Sequence, residues 1–314
     1  IYYGTTTDFV LGGVLDAEKI SGMEELLKFV FLLAFVGFGT KAAVFPMYAW
    51  LPAASVAPTP VTALLHAVAV VNAGAYAVLR VIYYSFGASF LYGTWAQTVA
   101  LLLSCFTILF GSTMAVREQH FKRRLAYSTI SNLSYMLMGA ALMTPDGMTG
   151  SLSHLVIHGV IKITLFYCAG AILIKTGKEY VQDLRGYSRI MPAACSIFLL
   201  GSIALVGTPP LAGFVSKWNL LTAASATGLP MGTVAIVCLI ISAILTAIYL
   251  FTAALPMYFR PLNADQAQLA GQKLDPSWMM LVPMGILCAL MIGLGLWSQP
   301  LVTFLRNISA GVIF

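Results

Sequence analysis

The stretch SLSHLVIHGVIKITLFYCAG places His154, His158 and Lys162 at i, i+4 and i+8. On an α-helix that spacing puts all three on one face, each about 6 Å along the axis from the next. Histidine titrates near neutral pH without help, and a row of titratable groups with bridging water can pass a proton from one to the next. The chemistry such a row suggests is a proton relay. Three more basic residues stand in equally apolar surroundings: Lys41 in GFGTKAAVFPMYAWLP, His66 in PTPVTALLHA and Lys217 in VGTPPLAGFVSKWNLL.

Each candidate has a plainer reading. A single histidine in an apolar run often makes one interhelical hydrogen bond, and that reading stands beside the relay for His66. His120 lies in a basic stretch and reads as solvated. Tyr127, Ser128, Ser131 and Asn132 read as a polar patch for helix packing, and the scattered cysteines Cys105, Cys168, Cys195, Cys238 and Cys288 as packing or lipid-facing residues. The cysteines show neither a CxxC pair nor a Cys/His metal spacing, so no metal site or disulfide framework is expected. No Rossmann fingerprint, Walker motif or iron–sulfur cysteine run is present, and no cofactor is expected in this chain.

The elements that hold these residues follow from composition. Of 314 residues 60% are hydrophobic and only 9% charged, against about 25% charged in a soluble domain. The bilayer is the natural solvent for such a chain, and the net charge of +6 does not point to nucleic acid, because the basic residues sit between apolar runs. A crossing helix needs roughly 20 apolar residues. Eight spans are predicted, at 27–57, 61–83, 95–116, 124–143, 150–174, 189–226, 231–256 and 279–298, within a single transmembrane domain over 1–314; a ninth begins near Leu301. The expected fold class is all-α, a polytopic helix bundle.

Loop charges set the orientation. Arg117, Lys122, Arg123 and Arg124, then Lys175, Lys178, Arg185 and Arg189, then Arg260 and Lys273 fall in alternate loops, 117–124, 175–189 and 257–278. The positive-inside rule places all three in the cytoplasm. Asp8, Asp16, Glu18, Glu24 and Glu25 would then lie outside, and Arg80 reaches the headgroups with its long stem. The spans at 27–57 and 189–226 are longer than one crossing and are interrupted by Gly and Pro, with Pro46 beside Lys41 and Pro209 and Pro210 before Lys217. Proline breaks a helix, and paired interrupted spans are a pointer to a transport site built on internal repeats. A lysine at the bilayer centre costs roughly 2.5–3.5 kcal/mol. No Asp or Glu falls inside a span, so counter-charges are expected from preceding helices or a neighbouring subunit.

Four motifs in combination, GTKAAVFPMYAWLPAASVAPTPVTALLHA, KRRLAYSTISNLSYM, HLVIHGVIKITLFYCAG and GTPPLAGFVSKW, resemble the antiporter-like subunits shared by respiratory complex I, membrane-bound hydrogenases and Mrp-type cation/proton antiporters. The resemblance covers about residues 30–260. It implies a fold of about fourteen helices with two inverted repeats, of which this chain would form the second part, with two discontinuous helices. It also implies that Lys41 matches the lysine of the first broken helix and Lys217 that of the second, and that His66 and the His154–Lys162 row lie on the central axis. The glutamate that pairs with the first of these lysines in the family belongs to an earlier helix, which a preceding or separate segment is expected to supply.

The function expected is proton translocation by a subunit of a larger redox-driven or antiport assembly in the cell's inner (cytoplasmic) membrane. Its partners would be other membrane subunits, one class being NADH/quinone-oxidoreductase-type or hydrogenase-type complexes, and redox cofactors would reside in those partners. The rival readings are a Na+/H+ antiporter subunit of Mrp type, which would favour a carboxylate within a span, and a non-conducting scaffold for partner subunits. A small-solute carrier would need a polar midplane pocket beyond the lysine row.

Overall fold

The computed structural model describes residues 11–15, 20–228, 230–263, 271 and 273–311, with the side chain of Val56 left aside. Asp8, Asp16 and Glu18 of the expected outer segment, and 264–270 and 272 of the third basic loop, lie outside the described residues.

The described chain is helical. The first interrupted span is α1 (Glu24–Gly39) followed, after an irregular segment, by a single turn α2 (Trp50–Ala53). The break holds a cis Phe45–Pro46 bond, and Trp50 Nε1 donates to the Thr40 carbonyl at 2.8 Å, so one carbonyl freed at the end of α1 finds a partner. The second span is divided where no proline or glycine announced it, into α3 (Thr59–Ala67) and α4 (Val70–Arg80), with a π-helical turn to Phe86. Asn72 Nδ2 donates to the Ala67 carbonyl at 2.8 Å and satisfies the backbone at that division.

After the short α5 (Ala88–Leu91), α6 (Trp95–Arg117) and α7 (Phe121–Ala141) form an antiparallel pair. Next comes α8 (Pro145–Thr176), which starts five residues before the expected 150. Thr144 explains the early start: its hydroxyl accepts from Gly147 N at 3.0 Å, and Pro145 at the first position has no N–H to leave unpaired. The second interrupted span is α9 (Pro192–Val206) and α10 (Ala212–Ala226), separated at Gly207 (φ +95°) and a cis Pro209–Pro210 bond. The remaining helices are α11 (Pro230–Phe259), α12 (Trp278–Leu296) and the amphipathic α13 (Gln299–Ser309). Among the described residues five helical stretches are long and apolar enough to cross a membrane: Thr59–Phe86, α6, α8, α11 and α12. The exterior suits that setting, since α1 exposes Leu26, Phe29 and Leu33, and α11 exposes Ile240, Ile244 and Ile248.

Helix α8 is the axis of the bundle, packed against α3, α7, α9, α10, α12 and α13. Two apolar cores flank it, one around Phe31, Phe35, Tyr83 and Leu137, the other around Phe166, Phe198, Leu250 and Met284. At the end of α7 the buried Gln97 donates from Nε2 to the carbonyls of Ala141 (3.0 Å) and Leu142 (3.1 Å), and its Oε1 accepts from Gly93 N (2.8 Å). Three backbone groups thus depend on one side chain. Gln97→Ala is expected to cost about 1–3 kcal/mol, read as a lower midpoint of thermal unfolding in detergent; an unchanged midpoint would show that those groups find other partners.

The three basic loops gather at one end. Phe121 N donates to the Glu179 carbonyl (2.7 Å) and Val181 N to the Gln119 carbonyl (3.0 Å), which ties the first loop to the second. Leu274 N donates to the Ile190 carbonyl (2.7 Å), and Asp275 accepts from Ala193 N and Ala194 N at the start of α9, which ties the second to the third. The α1 start carries Glu25, which pairs with Lys28 (2.6 Å) and accepts from Trp95 Nε1 (2.8 Å). The bonds from Lys28 and Trp95 hold its carboxyl below the usual carboxylate range.

Candidate polar axis

Four of the six expected relay residues lie together in the interior, a fifth stands next to them, and one stands apart. His154, His158 and Lys162 share the inner face of α8, and all are buried, Lys162 to 0% exposure. The rings of His154 and His158 stack with centroids 5.8 Å apart. Lys162 Nζ donates to the Leu125 carbonyl (3.0 Å) and to Ser128 Oγ (2.7 Å), both on α7. Beyond His154, Ser216 of α10 lies 2.9 Å from its Nδ1. The next residue, Lys217, donates to the carbonyls of Leu205 (2.7 Å) and Val206 (3.0 Å).

Those two carbonyls are the last of α9, where the helix leaves its C-terminal oxygens unpaired and its macrodipole is negative. The break therefore positions Lys217 and gives its ammonium favourable partners. Among the described residues the partners of both lysines are neutral oxygens: for Lys217 the carbonyls that the break leaves unpaired, and for Lys162 a carbonyl and a hydroxyl of the closely packed α7. The approach of α10 to α9 is close: a side chain on Gly213 would overlap the Ala204 carbonyl oxygen.

His66, at the end of α3, is buried with its ring over Phe166 (centroids 5.1 Å), one turn along α8 from Lys162. Its Nε2 lies 3.4 Å from Ser55 Oγ. Ser55 in turn lines a polar cavity of about 320 Å³ with Glu118, His120, Lys122, Arg123, Glu179 and Tyr180, at the end where the basic loops meet. His120 is thus not simply solvated. Its Nε2 stands 3.3 Å from Glu179 and its ring meets Tyr180 edge-on, because the pairing of the two loops folds it inward.

Lys41 is exposed at the α1 break and makes no side-chain hydrogen bond or ion pair among the described residues. The structure does not join it to the buried group. Pro46, Pro209 and Pro210 lie at the two breaks. Among the described residues no cluster of His, Cys, Asp or Glu could hold a metal ion.

Several polar residues of the axis were not expected from the sequence. Ser128, within the α7 patch, accepts directly from Lys162. Tyr135 lies with its ring 5.5 Å beneath Lys217 Nζ and edge-on to His154 at 5.4 Å. Ser242, Thr246 and Tyr249 of α11 point into the same interior. Their i, i+4, i+7 spacing in an otherwise apolar run was the available signal. Ser128, Ser131 and Tyr135 repeat at i, i+3, i+7 in the same way.

The interior gathers titratable groups, the buried Lys162, the half-buried Lys217 and three buried imidazoles, among hydroxyls and carbonyls and with no buried carboxylate among the described residues. The sequence matches the family described as NADH:quinone oxidoreductase/Mrp antiporter, TM, over residues 3–246. It is 32% identical over 289 residues to NADH-quinone oxidoreductase subunit N of Desulforudis audaxviator (strain MP104C), covering 88% of this chain and 56% of that protein. It is 35% identical over 235 residues to F(420)H(2) dehydrogenase subunit L of Methanosarcina mazei, covering 72% of this chain and 34% of that one. The fold is similar to a chain in the structure of the Mrp complex from Dietzia sp. DQ12-45-1b, with a TM-score of 0.80 at 23% identity, covering 92% of this chain and 60% of that one. A chain of respiratory complex I from Thermus thermophilus with bound Aureothin gives a TM-score of 0.73 at 25% identity, covering 96% and 63%. The chain spans about half the length, or less, of these curated relatives.

Proposed function

Since the chain belongs to the NADH:quinone oxidoreductase/Mrp antiporter transmembrane family, we propose that it carries protons along its interior as part of a multisubunit membrane assembly. The observation that carries the reading is Lys162: a fully buried lysine on the central helix, in line with His154 and His158, held by a carbonyl and a hydroxyl instead of a carboxylate. A cation in that setting is expensive to keep. Held by weak neutral partners, it can be both charged and discharged.

In this reading a proton passes between Lys162 and Lys217 through His158 and His154. His154 Nε2 and both nitrogens of His158 have no protein partner among the described residues, and these are the atoms that bridging water would serve. Protons reach the row from the polar cavity through Ser55 and His66, whose Phe166 contact sets it beside Lys162. The basic loops around that cavity face the cytoplasm by the positive-inside rule. Lys41, exposed at its break, serves the neighbouring part of the assembly rather than the buried row. Redox cofactors, where the assembly uses them, sit in partner subunits. In this reading the transported ion is the proton, because the groups that line the row are amines and imidazoles that titrate.

The test is Lys217→Ala in the parent assembly, assayed for proton uptake per turnover in everted vesicles. Uptake is expected to fall severalfold with assembly retained, since the C-terminal carbonyls of α9 can be served by water. A non-conducting scaffold would assemble with Lys217→Ala and pump as before, and that result would refute the relay.

A further inference from the structure

Helix α11 carries an apolar groove on the exterior of the bundle, away from the buried row. It runs from Ala247 to Arg260 and has a volume of about 510 Å³. Ile248, Phe251, Leu255 and Phe259 form its wall at i, i+3, i+7 and i+11, a single stripe of the helix. Ile248 and Leu255 are each 43% exposed and Phe259 is 81% exposed. Thr252 also lines the groove, but its hydroxyl accepts from Arg124 (3.0 Å) and donates to the Tyr249 carbonyl (3.2 Å), so it makes no polar demand on an occupant. The charged group of the groove is the Arg260 guanidinium, at one end.

That end is built where two basic loops meet. Pro256 lines the groove, and its carbonyl accepts from Gly186 N (3.1 Å). Asn263 Nδ2 donates to the Gln182 carbonyl (3.4 Å), and a Cβ on Gly186 would stand 3.1 Å from the Arg260 carbonyl oxygen. Arg185 and Arg260, both exposed, therefore sit on two segments in backbone contact. Asp183 is the one acid between 181 and 189, against Arg185 and Arg189, so with Arg260 the positive charge is in excess.

An occupant with one anionic end and a long apolar body matches this pattern. From 247 to 260 a helix rises about 20 Å, and one leaflet with its headgroups is about 20 Å deep. The charged end lies with the basic loops, where headgroups are, and the stripe runs from there toward the bilayer centre. Basic pockets at the cytoplasmic ends of crossing helices take anionic lipid headgroups. A helix of a neighbouring subunit would favour a face of small residues, whereas this wall is made of Ile, Leu and two Phe.

We propose that the α11 groove is a binding site for an anionic phospholipid of the leaflet that the basic loops face. Its phosphate pairs with Arg260 and Arg185, and one acyl chain lies along Ile248, Phe251, Leu255 and Phe259. The site is independent of the relay, since no residue of the α8 row takes part in it.

The parent assembly in phosphatidylcholine nanodiscs would be given a trace of phosphatidylglycerol or of phosphatidylcholine, each carrying the same diazirine-bearing acyl chain. After irradiation and digestion, mass spectrometry reads the label on residues 247–260. The phosphatidylglycerol probe is expected to label that segment about fivefold more or better, and unlabelled phosphatidylglycerol to compete the label away. Arg260→Gln is expected to reduce the label about fivefold, the effect of one basic side chain beside an anionic lipid. Arg185→Gln together with Arg260→Gln should bring it down to the phosphatidylcholine level. Comparing the two probes needs no variant, so the site is tested even where a variant fails to assemble. Equal labelling by both probes would mean ordinary surrounding lipid and would overturn the site. Absence of label with either probe would overturn it as well, as when a neighbouring subunit's helix covers the stripe. Displacement of the phosphatidylglycerol probe by inorganic phosphate would do the same, since the arginines would then be holding a free anion.

Discussion

Lys162→Met is expected to abolish proton uptake by the assembled complex while leaving the subunit folded and at least as stable. Methionine keeps the length and most of the volume of the lysine stem, so the packing against Leu125 and Ser128 survives without a cavity. What goes is the buried cation, whose presence at membrane depth costs roughly 2.5–3.5 kcal/mol on insertion scales. Replacing buried charge by an apolar group of similar volume is commonly neutral or stabilising. Ser128 loses a donor but keeps its bond to Tyr249. Function has no such substitute, because a thioether cannot bind a proton near neutral pH and the row would be cut between His158 and the groups beyond it. Loss of a positioned proton carrier reduces rates on the order of a hundredfold or more. Uptake per turnover in vesicles gives the first number and thermal unfolding in detergent the second. Normal uptake with a normal melting midpoint would remove Lys162 from the mechanism.

Gly213→Val is expected to produce the largest structural damage of any single substitution at the second break. A Cβ on residue 213 would overlap the Ala204 carbonyl oxygen, which is backbone and cannot swing aside. Helix α10 would have to move away from the end of α9, and the cost of forcing atoms into such a contact is about 3 kcal/mol or more. Function would be lost along with stability: Lys217 is one turn beyond Gly213, and its ammonium is held by the Leu205 and Val206 carbonyls of the helix being pushed off. The expected readout is a large fall in assembled subunit on a native gel, with no proton uptake from what remains. Gly213→Ala carries the same Cβ and should show the same defect in milder form, since it lacks the two methyl groups. Full assembly of Gly213→Val would mean that the two half-helices can separate freely, and the account of how Lys217 is held would be wrong.

Much of this was legible in the order of residues. An apolar run long enough to cross a bilayer, a four-residue spacing of His, His and Lys, and Gly/Pro interruptions are local properties of the chain, so the membrane setting, the helical class, the α8 row and both broken spans could be read directly. The gathering of the three basic loops at one end was legible too, because alternate crossings of a layer leave alternate loops on the same side. The division between α3 and α4 was not: it depends on Asn72 reaching back to a carbonyl, and neither proline nor glycine marks it. Partners were beyond reach for the same reason. Lys217 meets the carbonyls of α9 only because two half-helices approach at Gly213, Ser128 meets Lys162 across 34 positions, and Tyr135 meets Ser242 across 107. Residue type and period decided which groups could exchange a proton and which face of α8 they share. Packing of α7, α10 and α11 around that face decided which oxygens stabilise them, and left Lys41 outside the buried group, because a cation's partner is a matter of distance in space and not along the chain.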